Sequence, residues 1–186
     1  MKSVLISIQP KWCELIASGK KTIEVRKTSP KLDTPFKVYI YCTIGNGVKG
    51  DYLVPSGIQC GKVIGEFVCR EIEPYAEYEL LYGMDEISNS IVEEKSCVDI
   101  DELLRYKGKN DFIYGWHISD LKIYDKPKEL REFNQYNERL HYLLEKYPKQ
   151  YRNLCDRKCG ICDCVSCNDS VKRPPQSWCY VESLGE

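Results

Sequence analysis

Short apolar runs with a period of two recur along this chain between charged segments, a pattern that predicts a mainly β core carrying few helices. Ser3 to Gln9 (SVLISIQ) is β-branched and apolar enough for a strand. Pro10 then opens a short helix over residues 11–18, with proline at the first helical position and Gly19 just past the end. Thr22 to Arg26 alternates polar and apolar residues, as a half-buried strand does. Phe36 to Cys42, Lys62 to Arg70 and Ile113 to Tyr124 are further strands, so four or five strands are expected to close a compact barrel. Gln176 to Val181 (QSWCYV) reads as a terminal strand returning to it. Asp99 to Tyr106 predicts a short helix. Residues 127–147, with Leu130, Phe133, Leu140, Leu143 and Leu144 among charges, predict an amphipathic helix or helix pair ended by Pro148. Gly45, Gly47, Gly50 and Gly57 mark residues 43–60 as a mobile loop.

From Leu154 to Pro175 the apolar period is lost, and cysteine, aspartate, lysine and arginine take over. Such a stretch cannot order itself by burial alone. It holds Cys155, Cys159, Cys162, Cys164 and Cys167, with Cys179 on the expected terminal strand. Two C-x-x-C pairs so close together predict one structural Zn2+ held by four of these six thiolates. With sulfur donors only, that centre is closed and not hydrolytic. Disulfides or free thiols are the alternatives. The expected organisation is therefore a barrel over 1–126, a helical extension over 127–150, a cysteine-rich zinc segment over 151–175 and the terminal strand over 176–186.

Charge narrows the partners little. With 27 basic and 28 acidic residues the net charge is -1, so contact with phosphates must use a local patch. Eleven cysteines, an odd number, without a recognisable export signal suggest a reducing, cytoplasmic setting. No run approaches the roughly 18 apolar residues that spanning a bilayer takes. Cys13, Cys42, Cys60, Cys69 and Cys97 are scattered and expected to serve as small buried hydrophobes.

The segment Gly19 to Lys27 (GKKTIEVRK) carries the sharpest chemistry. If Ile23 and Val25 face the core, period two sends Lys21 inward too, at the rim of an apolar cavity, and puts Thr22, Glu24 and Arg26 on the other face. A lysine so placed can bind phosphate or a base oxygen, or act as a catalyst once desolvation lowers its pKa. It can equally be a snorkelling lysine, and Glu24 with Arg26 an ordinary surface ion pair. Trp12, Trp116 and Trp178 can stack bases or fill the core. Trp116 is favoured as a stacker because Gly115 before it permits close approach. His117 can offer general acid–base chemistry near neutral pH, but as a lone histidine in a strand it reads as structural, and His141, in the amphipathic helix, is assigned no role.

These residues also resemble a known family. Ser7-Ile8-Gln9-Pro10, Trp12, Glu14-Leu15-Ile16, Gly19, Lys21, Glu24 and Arg26 resemble the opening of ASCH domains, with their G-x-K-x-x-E-x-R hallmark. The likeness spans about residues 1–125 and, at the ending Arg173 to Val181 (RPPQSWCYV), is nearest to phage and prophage ASCH proteins of Gram-positive bacteria. It implies a PUA-like α+β barrel whose cleft receives RNA, single-stranded nucleic acid or a modified nucleotide through Lys21, Thr22, Glu24, Arg26 and the tryptophans. Some PUA-like relatives are amidohydrolases of acetylated cytidine using Lys, Thr and Glu, and others are ribonucleases. Lys21 matches their lysine, but Glu24 stands where their threonine does. An enzyme with catalytic Lys21 and Glu24 is the second reading, and an adaptor acting through the zinc segment the third.

Overall fold

The computed structural model describes residues 1–44, 57–82, 92–147 and 170–184. Six strands form one mixed sheet: β1 (Lys2–Ile8), β2 (Ile23–Arg26), β3 (Phe36–Cys42), β4 (Val63–Ala76), β5 (Phe112–Lys128) and β6 (Trp178–Glu182). Their order is β2-β5-β4-β3-β1-β6. Only β1 and β3 run parallel. The connection between them carries α1 (Pro10–Ala17) and β2. The helices α2 (Glu77–Tyr82), α3 (Ile100–Lys107) and α4 (Glu138–Lys146) lie outside the sheet order, giving the expected α+β class.

α1 begins as the sequence indicates, with Pro10 in the first turn after an extended Gln9. It ends at Gly19, whose φ of +74° takes the chain out of the helix as a side-chain-bearing residue would not readily do. The capping of α3 also follows the sequence, because the Asp99 carboxylate accepts from the Asp101 N–H.

β4 and β5 are far longer than the sequence suggests, and three register shifts interrupt their pairing. Such irregularities bend and twist a strand pair. One end of β4 consequently pairs with β3, and the far end of β5 pairs with β2. The bend brings edge strand β2 back toward β1, where side chains bridge the gap. Arg26 Nη2 donates to the Ser7 carbonyl at 2.5 Å and Trp178 Nε1 to Thr28 Oγ1 at 3.0 Å. The expected barrel is thus a curled sheet with β2 and β6 as its edges.

The helix expected over residues 127–147 is shorter than its apolar pattern implies. β5 continues through Lys128, a 3-10 turn covers Leu130–Glu132, and only Glu138–Lys146 is α-helical. Phe133 explains the difference: it is fully buried against Tyr39, with ring centroids 4.9 Å apart, and so belongs to the sheet's core. A helix through this point would withdraw that ring. Pro148 lies outside the described residues, as do residues 45–56 of the expected loop. Among the described residues no helix is long and apolar enough to cross a membrane.

Candidate functional site

A cavity of about 510 Å³ opens where β2 approaches β1, within the size range of small-ligand sites. α1 contributes Trp12, α3 contributes Glu102, Leu103 and Tyr106, and the ends of β1 and β3 contribute Ser7, Gln9, Thr43 and Ile44. The segment Pro174 to Ser177, entering β6, forms another wall. It is held to β1 because Ser7 Oγ donates to the Pro175 carbonyl at 2.7 Å and the Ser7 N–H to the Ser177 carbonyl at 2.9 Å.

Lys21, Glu24 and Arg26 line the same cavity, and all three are buried. Lys21 Nζ lies 3.4 Å from Glu24 Oε2, and Arg26 Nη2 lies 3.0 Å from Glu24 Oε1. Lys21 also donates to the Ser96 carbonyl at 2.6 Å and sits 5.0 Å from the Trp12 ring. Burial lowers the Lys21 pKa, while the Glu24 carboxylate opposes that shift. The trio holds two cations and one anion, and the buried Arg26 Nε has no hydrogen-bond partner among the described residues. A guanidinium donor left so is costly unless a ligand atom accepts from it.

This geometry corrects the strand-period argument. β2 starts only at Ile23, so alternation does not reach Lys21, whose side chain joins Glu24 instead of facing away from it. Glu24 and Arg26 are not a surface pair: their side chains are 6% and 11% exposed. Residues 95 and 96 meet the start of β2 from outside the sheet: the Thr22 N–H donates to the Lys95 carbonyl at 2.8 Å, as Lys21 does to the Ser96 carbonyl. The Thr22 side chain itself is exposed and outside the cavity wall.

Of the tryptophans, only Trp12 lines the cavity. Trp116 is fully buried, 6.0 Å from the rings of both Phe36 and Trp178, and offers no surface to a base. Gly115 does permit a close approach, but by the Tyr75 ring, which would lie 2.8 Å from an added Cβ. Trp178 is half-buried between Trp116 and Tyr180. His117 lies 3.0 Å from Glu73, and His141 lies 3.2 Å from Glu182.

Sequence reasoning missed Tyr106, which gives the cavity a second aromatic wall and lies 4.9 Å from Lys27 Nζ. Nothing local marks it, since it occupies one turn of an amphipathic helix. The walls at Ser7, Gln9 and 174–177 had a signal, the likeness of those same stretches to ASCH sequences. Cys155, Cys159, Cys162, Cys164 and Cys167 lie outside the described residues. Cys179 is half-buried on β6, packed toward the cluster around Leu5 and Val181, and burial pushes its thiol up to about 11.

The family model described as ASCH domain matches residues 6–154. Among solved structures, the crystal structure of ASCH from Zymomonas mobilis is 18% identical, with a TM-score of 0.56. That alignment covers 97% of this chain and 87% of the other. A mutant of the same protein aligns at 17% identity and TM-score 0.56, over 97% and 88%. At this identity the likeness speaks to the fold. A search of curated proteins finds no match.

Proposed function

Because the chain belongs to the ASCH domain family, whose members are PUA-like nucleic-acid-binding domains, we propose that its cavity receives one unpaired base of RNA or other single-stranded nucleic acid, or a modified nucleotide. The observation that carries this reading is that two aromatic walls, Trp12 and Tyr106, share the cavity with a buried trio of net positive charge, whose Arg26 Nε has no hydrogen-bond partner among the described residues. Aromatic faces take a base by stacking, whatever its identity. Glu24 can accept from an exocyclic amino group and Arg26 Nε can donate to a base carbonyl, so both hydrogen-bonding polarities are present. The net positive trio favours a nearby phosphate. A duplex keeps its bases stacked inside and cannot present one to so narrow a site.

Tyr106→Ala tests this with little disturbance of the fold, because the ring is partly exposed. Stacking is worth about 1–3 kcal/mol per base, so affinity for a single-stranded oligonucleotide should fall roughly 5- to 150-fold in fluorescence anisotropy. Unaltered affinity would remove the aromatic wall from the reading.

Hydrolysis in the same cavity is the second reading, favoured by one observation: burial lowers the pKa of Lys21 in a pocket that also holds the Thr43 and Ser7 hydroxyls. Release of acetate from acetylcytidine, or cleavage of the bound oligonucleotide, would establish it.

For the cysteine-rich segment we propose one structural zinc held by four thiolates. Cys179 is the weakest of the six candidates because its side chain packs on the sheet's core face. Elemental analysis should find one zinc per chain, retained in Cys179→Ser; zinc-free protein purified without chelator would refute it.

A further inference from the structure

We propose that Cys42 and Cys60 are an oxidisable dithiol: a hydroperoxide converts them to a disulfide that fixes one wall of the cavity, and a thiol reductant releases it. The chemistry of the pair stands by itself, whereas its consequence for binding rests on the function proposed for the cavity.

Cys42 closes β3 and Cys60 precedes β4, and both are fully buried with their Sγ atoms 3.6 Å apart. Backbone hydrogen bonds hold the two positions together. The Cys42 N–H donates to the Lys62 carbonyl at 2.9 Å and the Gly61 N–H to the Cys42 carbonyl at 2.8 Å. A disulfide needs the sulfurs at about 2.05 Å, so side-chain rotation has to close only about 1.5 Å. The pair lies at the end of the sheet, beside Ile44, which is 42% exposed, and the exposed Gly57.

Cys42 leads directly into Thr43 and Ile44, which are cavity walls. Thr43 is already tied to β1, its N–H donating to the Ile8 carbonyl at 2.9 Å. Ile44 covers Gly61, its Cδ1 3.1 Å from where a Cβ would stand. Oxidation therefore adds a covalent link to the hydrogen bonds that hold the start of this wall at the entry to β4. Constraint of a wall before the ligand arrives reduces the ordering cost of binding.

The two sulfurs are not equivalent. Contact with Cys13 lowers the Cys42 thiol pKa, whereas burial pushes Cys60 up to about 12. Cys42 thiolate attacks the peroxide, forming an S–O bond as the O–O bond breaks; the departing hydroxide takes a proton and leaves as water. The Cys60 sulfur then attacks the Cys42 sulfenic acid. An S–S bond forms, the S–O bond breaks, and hydroxide leaves with the Cys60 proton as a second water. Two thiols lose two electrons to one peroxide. A reducing thiol returns those electrons by disulfide exchange.

The test is stoichiometric hydrogen peroxide on the full chain, followed by alkylation under denaturing conditions and peptide mass spectrometry. A linked Cys42–Cys60 peptide is expected, lost again with dithiothreitol and still formed in Cys13→Ser. Cys60→Ser should leave Cys42 as a sulfenic acid trapped by dimedone. Oxidation should raise oligonucleotide affinity severalfold in the wild type and leave Cys60→Ser unmoved. Cys42 and Cys60 recovered as free thiols, or a Cys13–Cys42 link in their place, would overturn the proposal. A disulfide without any shift in affinity, in protein that binds the oligonucleotide, would overturn its role at the cavity wall. If neither redox form binds, the proposed function fails while the linked peptide still decides the disulfide.

Discussion

Glu24→Ala is expected to destabilise the fold by about 3–5 kcal/mol, the usual cost of removing one partner from a buried ion pair. The carboxylate is the only anion between Lys21 and Arg26 within the trio, and the three side chains are 2%, 6% and 11% exposed in sequence order. Its loss leaves two cations in a low-dielectric site. In urea this corresponds to a midpoint lowered by about 2 M for a typical slope. Lys21→Met should behave differently, because it deletes one cation and keeps the Glu24–Arg26 pair; its stability should stay within about 1 kcal/mol of wild type while oligonucleotide binding is lost. The pH dependence separates the cases further. A lysine whose folded pKa is depressed binds fewer protons folded than unfolded, so stability rises with pH between that folded pKa and the ordinary 10.5. Without Glu24 the depression deepens. The deficit of Glu24→Ala should therefore be smaller in alkaline buffer than at neutral pH, and an equal deficit at both would remove Lys21 from its cause.

Trp116→Ala should cost a similar amount, about 3–5 kcal/mol, because the ring fills the core between Phe36 and Trp178 and leaves a cavity when removed. The informative variant is Trp116→Phe. It loses volume but also removes a buried indole N–H that has no acceptor among the described residues. Thermal unfolding should therefore show a smaller loss than for alanine. Oligonucleotide affinity should match wild type, since no part of this ring reaches the cavity. Weaker binding by a stable Trp116→Phe protein would restore the tryptophan to the binding surface.

Much of the fold was legible from local pattern. β1, α1, β2, β3 and β6 lie where β-branched runs, the Pro10–Gly19 bracket and the aromatic ending put them. β4 and β5 exceeded their expected lengths because pairing with each other, through bulges, extends strands past the point where their own sequences stop alternating. The site was legible in its residue types and not in its geometry. Lys21, Glu24, Arg26 and Trp12 stand in one cavity, but period two separated Lys21 from Glu24 because alternation holds only inside a strand. Trp116 looked like a stacker beside a glycine, yet the space over Gly115 belongs to Tyr75. Tyr106 comes from α3, about 80 residues after Glu24 in the chain, and only the packing of that helix against β2 brings it to the site.

The central claim is that an unpaired base enters between Trp12 and Tyr106. Its most direct test is photo-crosslinking of a single-stranded RNA carrying one 4-thiouridine, with the attachment point read by peptide mass spectrometry. Attachment at Trp12 or Tyr106, competed by unlabelled single strand and not by duplex, is the predicted result. Crosslinks confined to peptides outside the cavity, or competed equally well by duplex, would contradict it.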